Sequence, residues 1–250
     1  MKVQRLMVVV AHPDDESFPI GGTIAKTAAE GGEVMLVTAT RGEAGVPDLK
    51  PDEAGRLRER ELRAACDVLG VSALRFLDYV DGTLDRVDAH TAIDRLIALM
   101  RAFCPDAIIT FGPDGISGHP DHVTVHQWAT AAFERARRAG WAHRLYYITP
   151  SAATAQGCGV PPSSEQVGGA VAFIDVGAHL ITKVRAMQCH ASQQPPFAGD
   201  PEEAASQLVC HETFTRVWPT TGPDTEETVF EAAPAHRSHL AAVPMFAAAQ

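Results

Sequence analysis

Cysteine is scarce and scattered in this sequence of 250 residues. The five cysteines are an odd number and never form a Cys-X-X-Cys pair, which argues against a disulfide scaffold and against a cysteine-rich zinc site. We interpret them as mostly core thiols of a protein in a reducing compartment, and we therefore predict a cytoplasmic location. The cysteines are Cys66, Cys104, Cys158, Cys189 and Cys210.

Clustered positive charge and long apolar runs are also missing. The chain has 21 Lys and Arg against 31 Asp and Glu, a formal net charge of −10, and it contains no basic run. Such a chain is a poor candidate for binding nucleic acid or an anionic membrane. No apolar stretch approaches the roughly 18 residues of a membrane span. The short apolar run at 6–10 leads into a polar motif without a cleavage site, so we expect a strand there rather than a signal peptide.

The chain does contain apolar runs that alternate with amphipathic helical patterns, which is typical of parallel β-α-β units. We predict an α/β fold: a Rossmann-like, doubly wound, mostly parallel sheet in a single domain. Residues 1–195 form its core, and residues 196–250 are an extension packed on the same domain. Strands are predicted at 6–10, 34–39, 74–77, 107–111, 145–148 and 171–174. Helices are predicted at 20–30, 52–69, 89–103, 120–139 and 177–190, and loops at 151–169 and 193–201.

Two polar motifs directly follow two of these strands. The motif AHPDDE occupies residues 11–16, after the first strand, and GHPDH occupies residues 118–122, after the fourth. In the commonest doubly wound order, the first and fourth strands are neighbours where the strand order reverses, and ligands bind beyond the carboxyl ends of the strands at that point. We therefore expect the two motifs to face each other and to form one site.

The residue types in these motifs suit a metal-dependent hydrolase. His12 and Asp15 are three residues apart in a turn and can converge on one point, where His122 supplies a third ligand. Two imidazoles and one carboxylate suit a catalytic Zn²⁺ that keeps its fourth position for water, although Fe²⁺ or another divalent ion could replace it. Such a centre lowers the pKa of its water to roughly 7. The side chain of Asp14 diverges from that of Asp15, which places a general base beside this water.

The second motif also predicts the start of a helix. Pro120 is suited to the first helical position, which leaves His119 at the cap. We expect His119 to face the substrate oxygen as an imidazolium, with Asp121 holding its ring, since a charged donor stabilises a developing oxyanion.

Simpler explanations of these residues exist. Carboxylates after a strand are commonly helix caps, and a histidine at a helix start is often structural. The presence of two such clusters, at the ends of two separate strands, favours a functional site over these simpler explanations. His126, one turn after His122, is a rival metal ligand, but it needs no partner from the first strand and leaves the first motif unexplained.

The two motifs in this order resemble those of the PIG-L/LmbE-like zinc-dependent de-N-acetylases. That family includes deacetylases of N-acetylglucosaminyl lipids, of the glucosaminyl precursors of mycothiol and bacillithiol, and of some antibiotics. The resemblance covers residues 3–140 well and 170–193 weakly. It extends to Thr40-Arg41-Gly42-Glu43, Arg58, Glu61, Ala64-Ala65, Leu69-Gly70, Tyr79, Asp81-Gly82, Lys183, Ala186, His190, Ser192 and Gln193.

The resemblance implies roles for individual residues. The matches to the family's zinc ligands are His12, Asp15 and His122. Asp14 matches the general base, and His119 matches the histidine that stabilises the tetrahedral intermediate, with Asp121 as its orienting partner. The matches to positions that hold sugar hydroxyls in mycothiol-type members are Arg58 and Asp81. Further cleft residues are Arg41, Glu43 and His190, although Arg41 could equally form an ordinary surface ion pair.

One position departs from the family pattern. Mycothiol-type members carry a tyrosine two residues before the first histidine of the second motif, and this chain has Ser117 there. The change removes a phenol that could contact the intermediate and weakens a specific mycothiol assignment. Ser117 takes its place among the substrate-binding candidates.

The sequence therefore predicts a zinc-dependent hydrolase that removes an N-acetyl group from a small amino-sugar conjugate of the N-acetylglucosaminyl type. We expect no nucleic-acid partner and no membrane span, and the sequence allows a homo-oligomer. A nucleotidyl-transfer enzyme that uses the histidines of HPDH is one alternative. This alternative is disfavoured because the chain lacks the glycine of H-x-G-H, has no G-x-x-x-x-G-K-[ST] motif and carries a negative net charge. A non-catalytic carbohydrate- or metal-binding module is the other alternative, disfavoured because every matched catalytic position is intact.

Overall fold

A computed structural model describes residues 3–149, 170–195, 199–222 and 225–230. The loop predicted at 151–169 lies outside the described residues, as do Cys158 and the end of the chain after residue 230.

The strands of the described residues form one mixed, eight-stranded sheet in the order β3-β2-β1-β4-β5-β7-β6-β8. The pairs from β3 to β5 are all parallel, whereas β7 pairs antiparallel with β5 and β6, and β8 pairs parallel with β6. This architecture confirms the predicted α/β fold with a mostly parallel sheet. The strands are β1 (Arg5–Val10), β2 (Glu33–Thr38), β3 (Ala73–Phe76), β4 (Ala107–Phe111), β5 (Leu145–Ile148), β6 (Val171–Asp175), β7 (His211–Trp218) and β8 (Thr225–Glu226).

The helices begin and end largely where the sequence signals predict. Asp88 caps α3 by accepting from the backbone N–H groups of His90 and Thr91, and Gly70 ends α2 with a φ of 77°. The helices are α1 (Gly21–Ala29), α2 (Pro51–Leu69), α3 (Ala89–Phe103), α4 (Pro120–Arg138), α5 (Leu180–Cys189) and α6 (Pro201–Ala205). The helix predicted at 177–190 is a 3₁₀ turn (Gly177–His179) followed by α5, and further 3₁₀ turns are Leu84–Arg86 and Ala191–Gln193.

The core lies on both faces of the central strand β1. Leu6, Val8 and Val10 are fully buried, and so are the intervening Met7 and Val9. Helices α1, α2 and α5 pack together, and α3 packs against α4, so that two helical layers cover the sheet. Each fully buried large side chain contributes roughly 1.5–3 kcal/mol to folding. The expectation that the cysteines are mostly core thiols is wrong for the described residues, where Cys66 is buried but Cys104 and Cys189 are half-buried and Cys210 is exposed.

The position of the site follows from the pairing of β1 with β4. These strands are parallel neighbours, with Leu6 opposite Ala107 and Val8 opposite Ile109, and β1 pairs with β2 on its other side. The strand order therefore reverses beside β1, and the carboxyl ends of β1 and β4 lie next to each other. The predicted adjacency of the first and fourth strands is confirmed.

The segment after residue 195 contributes a strand inside the sheet. β7 lies between β5 and β6, although it follows both of them in the chain. The sequence did not predict this strand. The division of the chain at residue 195 stays a prediction.

Candidate active site

The first motif folds into a tight turn that fixes one of its carboxylates. Oδ2 of Asp15 accepts hydrogen bonds from the backbone N–H groups of Ala11 (3.2 Å) and His12 (2.8 Å). These bonds hold the side chain against its own turn, while Oδ1 faces His122 of the second motif at 3.3 Å. On the other side, the last residue of β4, Phe111, stacks on the His122 ring with centroids 4.1 Å apart.

Three potential ligand atoms from the two motifs converge. Nδ1 of His12 lies 3.2 Å from Nε2 of His122 and 3.7 Å from Oδ2 of Asp15. With Zn–N and Zn–O bonds of about 2.0–2.2 Å, the ligand atoms of a tetrahedral ion are roughly 3.3–3.6 Å apart. Nε2 of His122 lies 3.3 Å from Oδ1 of Asp15, so the two histidine nitrogens face different oxygens of the Asp15 carboxylate, and the three side chains lie together beside one small volume.

The outer ring nitrogens of both histidines are occupied by hydrogen bonds. Nδ1 of His122 donates to the carbonyl of Gly115 at 3.0 Å. Nε2 of His12 lies 3.1 Å from Asp81 and 3.2 Å from Asp121, both of them carboxylates. Metal-binding histidines typically donate their second N–H to a carboxylate or a backbone carbonyl, which directs the other nitrogen's lone pair at the metal. The surroundings of these residues therefore fit a metal ion.

Two other sets of potential ligand atoms overlap with this one, namely His12, His119 and His122, and His12, Asp81 and Asp121. The second set would use Nε2 of His12 as a ligand atom, but this nitrogen already has hydrogen-bond partners in the carboxylates of Asp81 and Asp121. The predicted set of His12, Asp15 and His122 uses Nδ1 of His12 and Nε2 of His122 and leaves the outer nitrogen of each ring its hydrogen-bond partner, and it stays a prediction.

The charges around His12 favour a cation. Burial alone would lower the pKa of His12, but hydrogen bonds to Asp121 and Asp81 and the nearby charge of Asp15 raise this pKa to about 10. Burial likewise opposes ionisation of Asp81 and Asp121, yet the hydrogen bonds from His12 hold the pKa of each below its usual value. Three carboxylates thus surround the His12 imidazole, and a proton on His12 balances part of their negative charge here. A divalent ion would balance that charge instead.

Asp14 has the properties of a general base. Its backbone has a φ of 107°, a conformation that residues other than glycine rarely adopt, and its side chain is about one quarter exposed. Burial and the adjacent Asp15 raise the pKa of Asp14 to about 7, although Arg58, at 3.2 Å, works against this rise. A carboxylate with a pKa near the working pH is suited to taking and returning a proton.

The structure corrects the predicted contact between Asp121 and His119. The Asp121 carboxylate accepts from His12, from Gly82 N–H (2.8 Å) and from Leu84 N–H (3.1 Å), and only its backbone N–H contacts His119. Because Nδ1 of His119 accepts that N–H at 3.2 Å, the ring proton is on Nε2. Burial and the neighbouring His12 and His122 lower the pKa of His119, so a neutral N–H donor replaces the predicted imidazolium.

The two predicted sugar-binding residues contact the site itself. Arg58 is only 3% exposed, and it donates to the carbonyls of Pro13 and Gly42 as well as to Asp14. Asp81 accepts from His12 and from the backbone N–H of Ala44. Arg58 therefore joins the first motif to the loop after β2, and the binding of a sugar hydroxyl by either residue stays a prediction.

Arg41 and Glu43 lie in the loop after β2. Arg41 pairs with Glu59 at 2.7 Å and with Asp78 at 2.5 Å, so the surface ion pair foreseen as an alternative is present. Glu43 accepts from the backbone N–H groups of Arg41 and Asp81, each at 3.2 Å, and it thereby holds the loop that carries Asp81.

Ser117 and His190 have opposite environments. Ser117 is exposed in the loop that leads to His119, and its contact with a substrate stays a prediction. The expectation that His190 lines the cleft is wrong, because this side chain is fully buried and pairs with the equally buried Glu16. A histidine after a helix gives no sequence signal that distinguishes these two environments. The rival ligand His126 instead bonds to the carbonyl of Phe111 at 2.9 Å.

Sequence reasoning missed several groups that hold the site. The Gly115 carbonyl fixes the His122 ring, and the backbone N–H groups of Gly82 and Leu84 fix Asp121. Backbone groups carry no residue-type signal, so nothing in the sequence identifies them. Glu16 is the exception, since it is part of the AHPDDE motif.

Known proteins resemble this chain in sequence. Residues 7–133 match the family model PIG-L, described as GlcNAc-PI de-N-acetylase. A 1D-myo-inositol 2-acetamido-2-deoxy-alpha-D-glucopyranoside deacetylase from Mycobacteroides abscessus is 35% identical, over 84% of this chain and 88% of the relative. A protein of the same description from Saccharopolyspora erythraea is also 35% identical, over 76% of this chain and 77% of the relative.

Solved structures share the fold. The N,N'-diacetylchitobiose deacetylase from Pyrococcus horikoshii has a TM-score of 0.64 at 20% identity, over 86% of this chain and 84% of that one. The 4-carboxy-2-hydroxymuconate hydratase from Pseudomonas putida has a TM-score of 0.68 at 21% identity, over 88% of this chain and 99% of that one. Because a hydratase and a deacetylase share this architecture, the fold alone does not define the reaction.

The motifs, the site and the sequence relatives together define the class as the de-N-acetylases. The chain belongs to the PIG-L family of GlcNAc-PI de-N-acetylases, which confirms the resemblance inferred from its two motifs. Among the described residues, none of the helices has the length and apolar character needed to cross a bilayer.

Proposed function

We propose that this chain is a zinc-dependent hydrolase that removes the acetyl group from the nitrogen of an N-acetylglucosaminyl conjugate. The observation that carries the proposal is the convergence of His12, Asp15 and His122 from the ends of two adjacent strands. Two histidine nitrogens lie 3.2 Å apart, and each lies 3.3–3.7 Å from one oxygen of the Asp15 carboxylate. The predicted reaction class, an N-deacetylase that acts on an amino-sugar conjugate, is confirmed by the sequence relatives, whose names describe this reaction.

The metal ion would be held by one nitrogen of each histidine and by the Asp15 carboxylate. When bound, it would supply a Lewis acid for the amide carbonyl and a water molecule of lowered pKa. The two imidazoles and the single carboxylate favour Zn²⁺, and Fe²⁺ remains a candidate for the same ligand set.

The chain's own residues then move protons and stabilise charge. Asp14 takes a proton from the attacking water and returns it to the departing amine, which leaves acetate and the free amine as products. Such proton transfers contribute roughly 10²–10⁴-fold in rate. The Nε2–H of His119 donates to the oxyanion of the tetrahedral intermediate, and one such donor is worth roughly 10²–10³-fold.

The remaining residues of the site support these groups. Arg58 holds Asp14 through its carboxylate and through the carbonyl of Pro13. Asp81 and Asp121 orient the His12 ring. Ser117, exposed near His119, is our candidate for a substrate contact.

Amine release from a panel of N-acetylglucosaminides tests the proposal. We expect activity that a chelator abolishes and that added Zn²⁺ restores, and we expect loss of activity and of metal in His12→Ala. His126→Ala is a matched control, because His126 lies on α4 one turn from His122, where it bonds to the Phe111 carbonyl and its ring packs against that of Tyr147. Hydrolysis that resists the chelator would contradict the proposal, as would an inactive protein that binds one metal ion.

The same preparation distinguishes the nucleotidyl-transfer alternative. Titration calorimetry with ATP, with and without chelator, should show no tight binding. Tight ATP binding that does not depend on the chelator would favour that alternative. The cytoplasmic location and the homo-oligomer stay predictions.

A further inference from the structure

A buried acid–base pair lies behind the first motif, outside the mechanism described above. Glu16 and His190 are both fully buried, and Nε2 of His190 lies 2.7 Å from Oε1 of Glu16. A buried carboxylate is costly unless it is paired and hydrogen-bonded. The pair connects the turn after β1 with the turn after α5, which are far apart in the sequence.

The second oxygen of Glu16 connects the pair to Asp14. Oε2 of Glu16 accepts the backbone N–H of Asp14 at 2.9 Å, and the Asp14 carbonyl accepts from Ser17 N–H at 2.9 Å. Asp14 has a φ of 107°. A residue other than glycine keeps such a conformation only where its surroundings enforce it, and Glu16 supplies the bond to its N–H group.

The turn that carries His190 is itself anchored. Ser192 donates to Glu61 of α2 twice, from its backbone N–H at 2.8 Å and from its hydroxyl at 2.6 Å. His190 therefore approaches Glu16 from a fixed position. In the described residues, Glu16 accepts from three groups, which are Asp14 N–H, the Ser17 hydroxyl and Nε2 of His190.

We propose that Glu16 and His190 are positioning residues, which hold the backbone of Asp14 in the conformation that directs its carboxylate at the reacting water. This inference rests on the proposed function, in which Asp14 is the general base. Neither residue touches the substrate or the metal ion. They act on the rate of the proton transfer through the geometry of the turn.

Two variants at His190 test the inference. His190→Leu removes the donor to Glu16, and His190→Gln keeps an N–H donor at nearly the same place. A displacement of about 1 Å at a catalytic group can lower the rate about 10²-fold. We expect His190→Leu to lower kcat by tenfold or more, with KM and the metal content unchanged, and His190→Gln to recover most of that loss. Hydrogen exchange of the amides at 12–17 should be faster in His190→Leu than in the parent.

A second buried pair supplies the control. Glu212 pairs with Lys183 at 2.6 Å and accepts the N–H groups of Gly22 and Thr23, so it has the same kinds of partner but does not contact the first motif. We expect Glu212→Met to lower the melting temperature and to leave kcat and KM unchanged.

A parental kcat in His190→Leu would overturn the inference. So would an equal loss in His190→Leu and His190→Gln, or an equal loss of kcat in Glu212→Met. If His190→Leu does not fold, Glu16→Met decides, because methionine removes both carboxylate oxygens, the one that accepts from Asp14 N–H and the one that contacts His190. We then expect at least a tenfold lower kcat, and a parental value would refute the inference. Full activity in Asp14→Asn would instead refute the proposed function.

Discussion

Replacing Asp14 with asparagine removes the proposed base and little else. Asparagine has the same shape and tolerates a positive φ better than most residues, so the turn with its φ of 107° should persist. The three metal-binding atoms belong to other residues, so the metal content should not change. We expect kcat to fall roughly 10²–10⁴-fold, the usual contribution of a positioned base, which corresponds to about 3–5 kcal/mol of activation free energy.

The pH dependence of the parent follows from the same residue. Burial and Asp15 raise the pKa of Asp14 to about 7. A base with this pKa would be about half ionised at pH 7 and about one tenth ionised at pH 6. A bound divalent cation lowers the pKa of a neighbouring carboxyl group. The acidic limb of kcat should therefore lie at or below pH 7.

Loss of stability should not explain the loss of activity. The pKa of Asp14 in the folded protein is above its value in the unfolded chain, so its ionisation costs stability as the pH rises from about 4 to about 7. Asparagine does not carry this cost, and we expect the metal-free variant to be at least as stable as the parent at pH 8.

Steady-state amine release from pH 5 to 9, with metal analysis of each sample, tests this reasoning. Parental turnover in Asp14→Asn would refute the assignment of the base. An acidic limb of kcat well above pH 8 in the parent would refute the claim that the surroundings of Asp14 set its pKa to about 7.

Three further predictions concern charge and packing. In the metal-free protein, the pKa of His12 is raised from 6.5 to about 10. The stabilisation that comes from protonated His12 should therefore be fully present below pH 6.5 and be lost as the pH rises to about 10. Thermal melts should show this decrease, and a flat profile would contradict it. Arg58→Gln removes a cation that lowers the pKa of Asp14, and the acidic limb of kcat should move to higher pH, whereas an unmoved limb would show that the contact has no effect. Phe133 is fully buried, and Phe133→Ala should cost about 3–5 kcal/mol in denaturant unfolding without changing the metal content.

The sequence predicted the parallel half of the sheet well, because strands buried on both faces are continuous apolar runs. The run at 6–10 corresponds to β1, and the bounds predicted at 107–111 are those of β4. The adjacency of these strands required only the commonest doubly wound order. β7 was missed because its antiparallel partners, β5 and β6, lie far from it in the sequence.

In the site, the sequence identified the residues that take part better than it identified the partners that each of them contacts. The residue types of His12, Asp15 and His122 restrict the chemistry, and the structure brings their ligand atoms together. The partner of Asp121 was wrong because two backbone N–H groups and His12 compete for its carboxylate. The environment of His190 was wrong because it depends on tertiary packing against Glu16.

The central claim is one cation held by both motifs, and metal stoichiometry tests it most directly. Elemental analysis after dialysis against Zn²⁺ should find one ion per parent chain and one per chain of His126→Ala, but none in His12→Ala or His122→Ala. A parent chain that binds no metal, or a His122→Ala variant that retains a full equivalent, would contradict the account.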